Sequence, residues 1–261
     1  MSFLDKIKLT NKKIYVLGGS GLIGTKVVTS ILSVGAKVIV LDIKKKHVQK
    51  GVKYEKFDCS KLKTLEKNFD KVIKKSGCPD VFINCSFPRT KDWNQSSFNK
   101  ITLKRMSKNI EIHMNSYAWI AKIVAEKMVK NKIKGNIINL NSIYGLVGQD
   151  LKIYEKTTMT ENMPYSIIKG GLVNLTRQMA SYYGRFGIRV NGICSGGLKG
   201  HVAGKSNLQE KQFIKNYEKK VPLKRLGSPD EVADVITFMA SRASSYITGS
   251  NVIVDGGWTI I

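Results

Sequence analysis

The chain of 261 residues carries 44 Lys and Arg against 19 Asp and Glu, a formal net charge of +25, and is 42% hydrophobic. That length suits one large domain or two small ones around a sizeable core, and no apolar run approaches the roughly 20 residues of a membrane-spanning helix. Only seven of the basic residues are Arg and the Lys are spread along the whole chain. The charge therefore reads as a solvated surface rather than a nucleic-acid-binding face, with attraction of an anionic small molecule as a second reading.

Met1 to Lys13 is polar and Lys-rich, without the apolar centre of a secretion signal, so a cytoplasmic location is expected. Lys13 to Leu17 is a short β-branched run that ends in Gly18-Gly-Ser-Gly-Leu-Ile-Gly24, and a helical pattern follows from Leu22 to Val34. A glycine loop between a strand and a helix is the setting of a dinucleotide fingerprint. Gly18, Gly21 and Gly24 let the backbone turn tightly and approach a pyrophosphate at the helix N-terminus. The second strand, Lys37 to Asp42, places Asp42 18 residues after Gly24. A carboxylate there accepts hydrogen bonds from a ribose and repels a 2′-phosphate, which favours NAD(H) over NADP(H). Lys44 to Lys46 weigh the other way.

A third strand is expected over Val52 to Phe57, ending at Asp58, Cys59 and Ser60, then a helix from Leu62 to Ile73 and a fourth strand from Asp80 to Asn84. Ile101 to Lys130 reads as one long helical stretch containing Asn115. Gly135 to Ser142 is a fifth strand, Tyr165 to Tyr183 a helix, Ile188 to Cys194 a sixth strand, Pro229 to Ser241 a helix opened by Ser228, and Asn251 to Asp255 a seventh strand. Strand and helix alternate with no linker or repeat, the pattern of an α/β, doubly wound parallel sheet in one domain over 1–261. The four Cys and three His are scattered without metal-ligand spacing, so reduced thiols and no metal site are expected. Within the helix, Tyr165 and Lys169 are four apart and share a face. A Lys ammonium beside a phenol favours phenolate and lowers its pKa, making Tyr165 a usable general acid or base.

The ordered set of the glycine loop, Asp42, Asp58, Asp80-Val-Phe-Ile-Asn84, Asn115, Ser142, Tyr165-Ser-Ile-Ile-Lys169, Arg189-Val-Asn191 and Ile247-Thr-Gly249 through Gly257 resembles the short-chain dehydrogenase/reductase superfamily over essentially the full length. The resemblance implies a Rossmann-type, seven-stranded parallel sheet flanked by helices on both faces. It implies an oxidoreductase with Tyr165 as general acid/base, Lys169 lowering its pKa and holding the nicotinamide ribose, Ser142 orienting the substrate oxygen and Asn115 holding a relay water. It implies cofactor contacts at Gly18, Ser20, Gly21, Leu22, Ile23, Gly24, Asp42, Asp58, Cys59, Asn84, Cys85, Ser86, Tyr165, Lys169, Gly196 and Leu198. A homo-oligomer, tetramer or dimer, is expected.

The chain departs from the family pattern in three places. Phe87 replaces a small residue after the fourth strand, Ser195-Gly196 stands where Pro-Gly is usual, and 23 residues separate Ser142 from Tyr165, more than is common. The extra stretch, Gln149 to Asn162, is expected over the active site, and a substrate lid is expected over about 198–217. The insertion, with Ser86-Phe-Pro-Arg-Thr90 and Ser142-Ile-Tyr-Gly145, resembles a subgroup of oxidoreductases in bacterial flagellin glycosylation and surface-polysaccharide synthesis. The substrate would then be a sugar or sugar derivative, its anionic group near Arg89, Lys91 or Lys152, with Phe87, Tyr154 and Ser142 also at the substrate. Alternatives within the superfamily are reduction of a 3-oxoacyl thioester or another ketone. An alternative of another class is a silent dinucleotide-binding regulator.

Overall fold

The computed structural model describes residues 2–46, 49–200 and 208–261. Seven strands form one parallel sheet in the order β3-β2-β1-β4-β5-β6-β7. They are β1 (Lys13–Leu17), β2 (Lys37–Asp42), β3 (Lys53–Lys56), β4 (Val81–Asn84), β5 (Asn136–Ser142), β6 (Arg189–Ser195) and β7 (Asn251–Val254). The side-chain period of two divides the core cleanly. Tyr15, Leu17, Ile39, Leu41 and Phe82 face one side, while Ile14, Val16, Val38, Val40 and Ile83 face the other. On the first side pack α3 (Leu65–Ser76), α5 (Ser116–Lys130) and α6 (Met163–Tyr183). On the second pack α2 (Leu22–Ser33) and α8 (Pro229–Ala240). Both faces are thus covered, as a buried parallel sheet requires.

Local chemistry sets the helix ends. Asn162 caps α6 by accepting from Tyr165 N–H at 3.0 Å, with Pro164 in the first turn. Ser228 and Glu231 form a capping box at α8, a device worth about 1 kcal/mol. A short α1 (Phe3–Ile7), capped by Ser2, precedes the sheet and was not signalled by the polar N-terminal sequence.

One expected element differs. The stretch 101–130 is not one helix: α4 (Leu103–Asn109) passes through a π-turn, Ile110–Asn115, into α5. A π-turn carries one extra residue per turn and so changes which side chains face inward downstream of it. The extra stretch before Tyr165 is held by capping and by contacts with a later helix. Asp150 caps the 3₁₀ turn Leu151–Tyr154 and pairs with Lys220 at 2.6 Å. Asn216 Nδ2 donates to the carbonyls of Ile153 and Glu155, and Thr158 N–H donates to Glu210. Lys220 and Asn216 lie on α7 (Lys211–Lys220), so the insertion and α7, which falls within the expected lid, form one clasped unit. Residues 201–207 of the expected lid lie outside the described residues, as do His47 and His201. The C-terminal tail divides: Trp258 is buried and stacks on Tyr217 at 4.4 Å, covering its own core, while Ile260 and Ile261 are exposed.

The strands run parallel, so their C-terminal ends fall on one edge. The glycine loop, Asp42, Asn84, Ser142 and Ser195 all lie there, and the order reverses between β1 and β4, where a crevice opens in such sheets. No helix among the described residues is long and apolar enough to cross a membrane.

Candidate active site

The glycine loop fits a pyrophosphate by its backbone. Gly18 has φ +77°, and a Cβ there would lie 2.7 Å from the Cys85–Ser86 backbone. Gly21 caps α2 without a side-chain cap, which leaves N–H groups at the helix start open to an anion. Asp42 is aimed by two backbone donors, Ser20 N–H at 3.0 Å and Lys44 N–H at 3.2 Å, and its carboxylate retains capacity for ribose hydroxyls. Leu22 sits against Gly200, so the start of the lid meets the loop, while Ile23 packs partly into the core. Asn84 accepts from Ser86 N–H and Oγ through Oδ1, and its Nδ2 is buried with no partner among the described residues.

The other expected cofactor positions are more structural. Asp58 accepts from Ser60 N–H and Oγ and thus closes its own turn. The Cys59 thiol is in the core, and burial pushes it up to about 11; burial pushes the Cys85 thiol up to about 12. Gly196 N–H bonds the Val254 carbonyl, and Leu198 bridges to Gly227.

Ser142, Tyr165 and Lys169 do come together. Ser142 ends β5, its hydroxyl accepts from Tyr144 N–H at 3.2 Å, and it counters the upward shift of the Tyr165 phenol. Lys169, one turn along α6, is buried; its Nζ donates to the Leu140 carbonyl at 2.7 Å and lies 5.6 Å from the Tyr165 ring centre. Helical spacing thus delivers the pair the sequence implies. The electrostatics run against expectation. Burial is the largest effect on both groups: it pushes Lys169 down to about 7 and raises the Tyr165 phenol, and the Ser142 hydrogen bond pulls the phenol back. A lysine largely neutral above pH 7 contributes little field, so Ser142, not Lys169, is the group within the chain that favours phenolate.

Asn115 does not join this cluster. Its side chain is exposed on the outer face, and the buried side chain of the same π-turn is His113. Sequence reading set His113 aside as one of three scattered His. A signal was present: Asn109, His113, Ser116, Tyr117, Ile120 and Val124 recur at spacings of three and four, and Asn115 falls off that stripe.

Aromatic rings enclose the phenol. Phe87 lies 5.9 Å from the Tyr165 ring, Trp93 6.1 Å and Tyr144 6.4 Å. Only Phe87 was expected at the substrate; Tyr144 belongs to the Ser142-Ile-Tyr-Gly145 run of the subgroup resemblance, and Trp93 carries no motif. Arg89 stands over Phe87, its Cζ 5.3 Å from the ring centre, half-buried, and it donates to the Phe87 carbonyl. No carboxylate among the described residues pairs with it; Asp92, three residues on, is taken by Arg105 at 2.6 Å. Tyr154 packs in one cluster with Tyr144, its ring 6.0 Å from Phe213 of α7 and its hydroxyl donating to Gln149. Lys91 and Lys152 are exposed. No cluster of metal-ligating side chains occurs among the described residues.

A family model described as enoyl-(acyl carrier protein) reductase matches residues 20–259. The chain is a short-chain dehydrogenase/reductase. The dehydrogenase is 29% identical to post-translational flagellin modification protein A of Campylobacter coli, over 96% of this chain and 99% of that one. It is 29% identical to glucose 1-dehydrogenase 2 of Bacillus subtilis, over 97% and 96% of the two chains. Its fold matches a short-chain dehydrogenase of Leptospira borgpetersenii, solved with bound NAD+, with TM-score 0.84 and 30% identity over 99% of this chain and 96% of that one. This short-chain dehydrogenase/reductase is therefore an oxidoreductase of the kind that acts on CH–OH groups.

Proposed function

We propose that the enzyme is an NAD(H)-dependent oxidoreductase acting on a hydroxyl or carbonyl of a sugar or sugar derivative in bacterial glycan synthesis. The observation that carries the chemistry is the Tyr165 phenol, flanked by Lys169 at 5.6 Å inside an aromatic enclosure. Ser142 orients the substrate oxygen, and Tyr165 exchanges a proton with that oxygen. Burial holds the phenol protonated, and the Ser142 bond moderates this, so the proton can pass either way. Asp42 would hold the adenosine ribose and Lys169 the nicotinamide ribose of a cofactor that, when bound, would supply the hydride chemistry.

The sugar assignment draws on two supports. The flagellin-modification and glucose dehydrogenase relatives span nearly the whole chain. Phe87, Trp93 and Tyr144 offer ring faces suited to sugar C–H groups, and the unpaired Arg89 guanidinium suits an anionic group on the same sugar. The exposed Trp119 of α5 and Ile167 and Tyr182 of α6 support a homo-oligomer joined through those helices. A cytoplasmic location and independence from nucleic acid and membrane complete the reading.

Tyr165→Phe should abolish turnover and leave NADH binding intact; retained turnover overturns the assignment of Tyr165. NADH should stabilise the protein against heat more than NADPH, and the reverse order overturns the reading of Asp42. Preference for 3-oxoacyl thioesters over sugars and nucleotide sugars in a turnover panel overturns the sugar assignment.

A further inference from the structure

One side chain closes the insertion on itself. Gln149 stands at its start and Asn162 at its end. Gln149 Nε2 donates to the Asn162 carbonyl and to Ser166 Oγ, both at 2.9 Å. Gln149 Oε1 accepts from Asn162 N–H at 3.2 Å and from the Tyr154 hydroxyl at 3.1 Å. Two donated and two accepted bonds use the full capacity of a carboxamide. A backbone carbonyl only accepts and a backbone N–H only donates, so these partners fix which end of the amide is which. A carboxylate, which only accepts, would not fit the Nε2 side.

Asn162 extends the node to two walls of the site. Its Oδ1 accepts from Tyr165 N–H at 3.0 Å, and its Nδ2 donates to the Trp93 carbonyl at 3.1 Å. Beside it, Met163 N–H donates to the Ser96 carbonyl at 2.9 Å. The Trp93 and Tyr165 rings stand 6.1 Å apart. On the other side, Tyr154 packs in one cluster with Tyr144, whose ring lies 6.4 Å from that of Tyr165. The segment of Trp93 and Ser96, the insertion and the start of α6 therefore meet at one pair of amides.

We infer that Gln149 is a positioning residue for Tyr165: joined to Asn162, it sets where the phenol-bearing end of α6 stands against Trp93 and Tyr144. Proton exchange needs the phenol within hydrogen-bond reach of the substrate oxygen, and a misplacement of about 1 Å costs about 100-fold in rate. The insertion thus acts on the reaction through the helix it precedes. The inference rests on the reading of Tyr165 as the reacting group.

The chain has three Trp, so NMR of the indole N–H groups in the nitrogen-labelled full chain gives few signals, and Trp93→Phe assigns the one from Trp93. Gln149→Met keeps the side-chain length and removes all four bonds. Gln149→Glu keeps the two accepted bonds and turns an oxygen toward the Asn162 carbonyl. Both substitutions should move the Trp93 signal, leave that of Trp119 on α5 in place, and leave NADH binding intact. With NAD+ and D-glucose as the probe reaction, kcat should fall about 10- to 100-fold with KM little changed. A Trp93 signal indifferent to both substitutions, a Trp119 signal that moves as far, or an unchanged kcat overturns the inference. Absence of D-glucose turnover by the unmutated protein counts against the sugar reading and leaves the indole signals to decide the role of Gln149.

Discussion

Gly24→Ala perturbs the cofactor loop without touching a polar group. Gly24 lies in the first turn of α2, where intrinsic propensity alone favours Ala by about 1 kcal/mol. The added Cβ would lie 2.1 Å from the Gly18 carbonyl oxygen and 2.8 Å from the Gly19 Cα. Both neighbours are backbone, and their loop is held at two points: Gly18 N–H donates to Leu41 at 2.8 Å, and Gly21 N–H to Gly18 at 3.0 Å. The loop must retreat by roughly an ångström to regain ordinary contact. Overpacking of this kind costs about 1–3 kcal/mol, so after the propensity gain the net destabilisation should be about 0–2 kcal/mol, towards the upper end because both contacts are with backbone. A displaced loop should also weaken NADH at least about tenfold, or about 1.4 kcal/mol. Gly184→Ala is the counterpart. Its backbone is helical, at φ −55° and ψ −36°, and nothing lies within 4 Å of an added Cβ, so it should stabilise by about 0.4–1 kcal/mol. Urea unfolding midpoints and NADH titrations of the three proteins make the comparison. Gly24→Ala with unchanged stability and NADH affinity would refute the packing described for the loop.

Lys169→Met should change how stability depends on pH. Burial pushes the lysine down to about 7, against about 10.4 unfolded. The unfolded chain then binds more protons between those values, so this group's contribution to stability rises with pH there. The unmutated protein should therefore gain on Lys169→Met from about pH 6 to about pH 9 in urea unfolding, and a constant gap would refute the burial effect. The clasp between insertion and lid helix should appear in a double-mutant cycle on Asp150 and Lys220, whose partly buried side chains meet at 2.6 Å, as a coupling of about 1 kcal/mol. Asp150→Ala should cost more than Lys220→Ala because Asp150 also accepts from Lys152 N–H at 3.0 Å; zero coupling would show the two elements to be independent.

The features legible in the sequence are those with a short-range cause. β-branched runs alternating with helical periods specify a parallel sheet because each segment must bury its own apolar face. The strand-glycine-helix start and Asp42 follow from backbone conformation within one unit. Tyr165 meets Lys169 because four residues make about one helical turn. Asn115 was misplaced because its residue type outweighed its position off the buried stripe, and the π-turn that reorients the stretch has no sequence signature of its own. Trp93 and Tyr144 reach Tyr165 from separate segments, across distances that no local pattern encodes.

The amino-acid sequence therefore determined the sheet, the glycine loop and the juxtaposition of Tyr165 with Lys169. Tertiary structure decided what surrounds that pair: burial that reverses the expected shift of Tyr165, and an aromatic enclosure. Sequence names the ionisable groups, but their proton affinities depend on how much water the fold removes from them, and desolvation is a property of the assembled core.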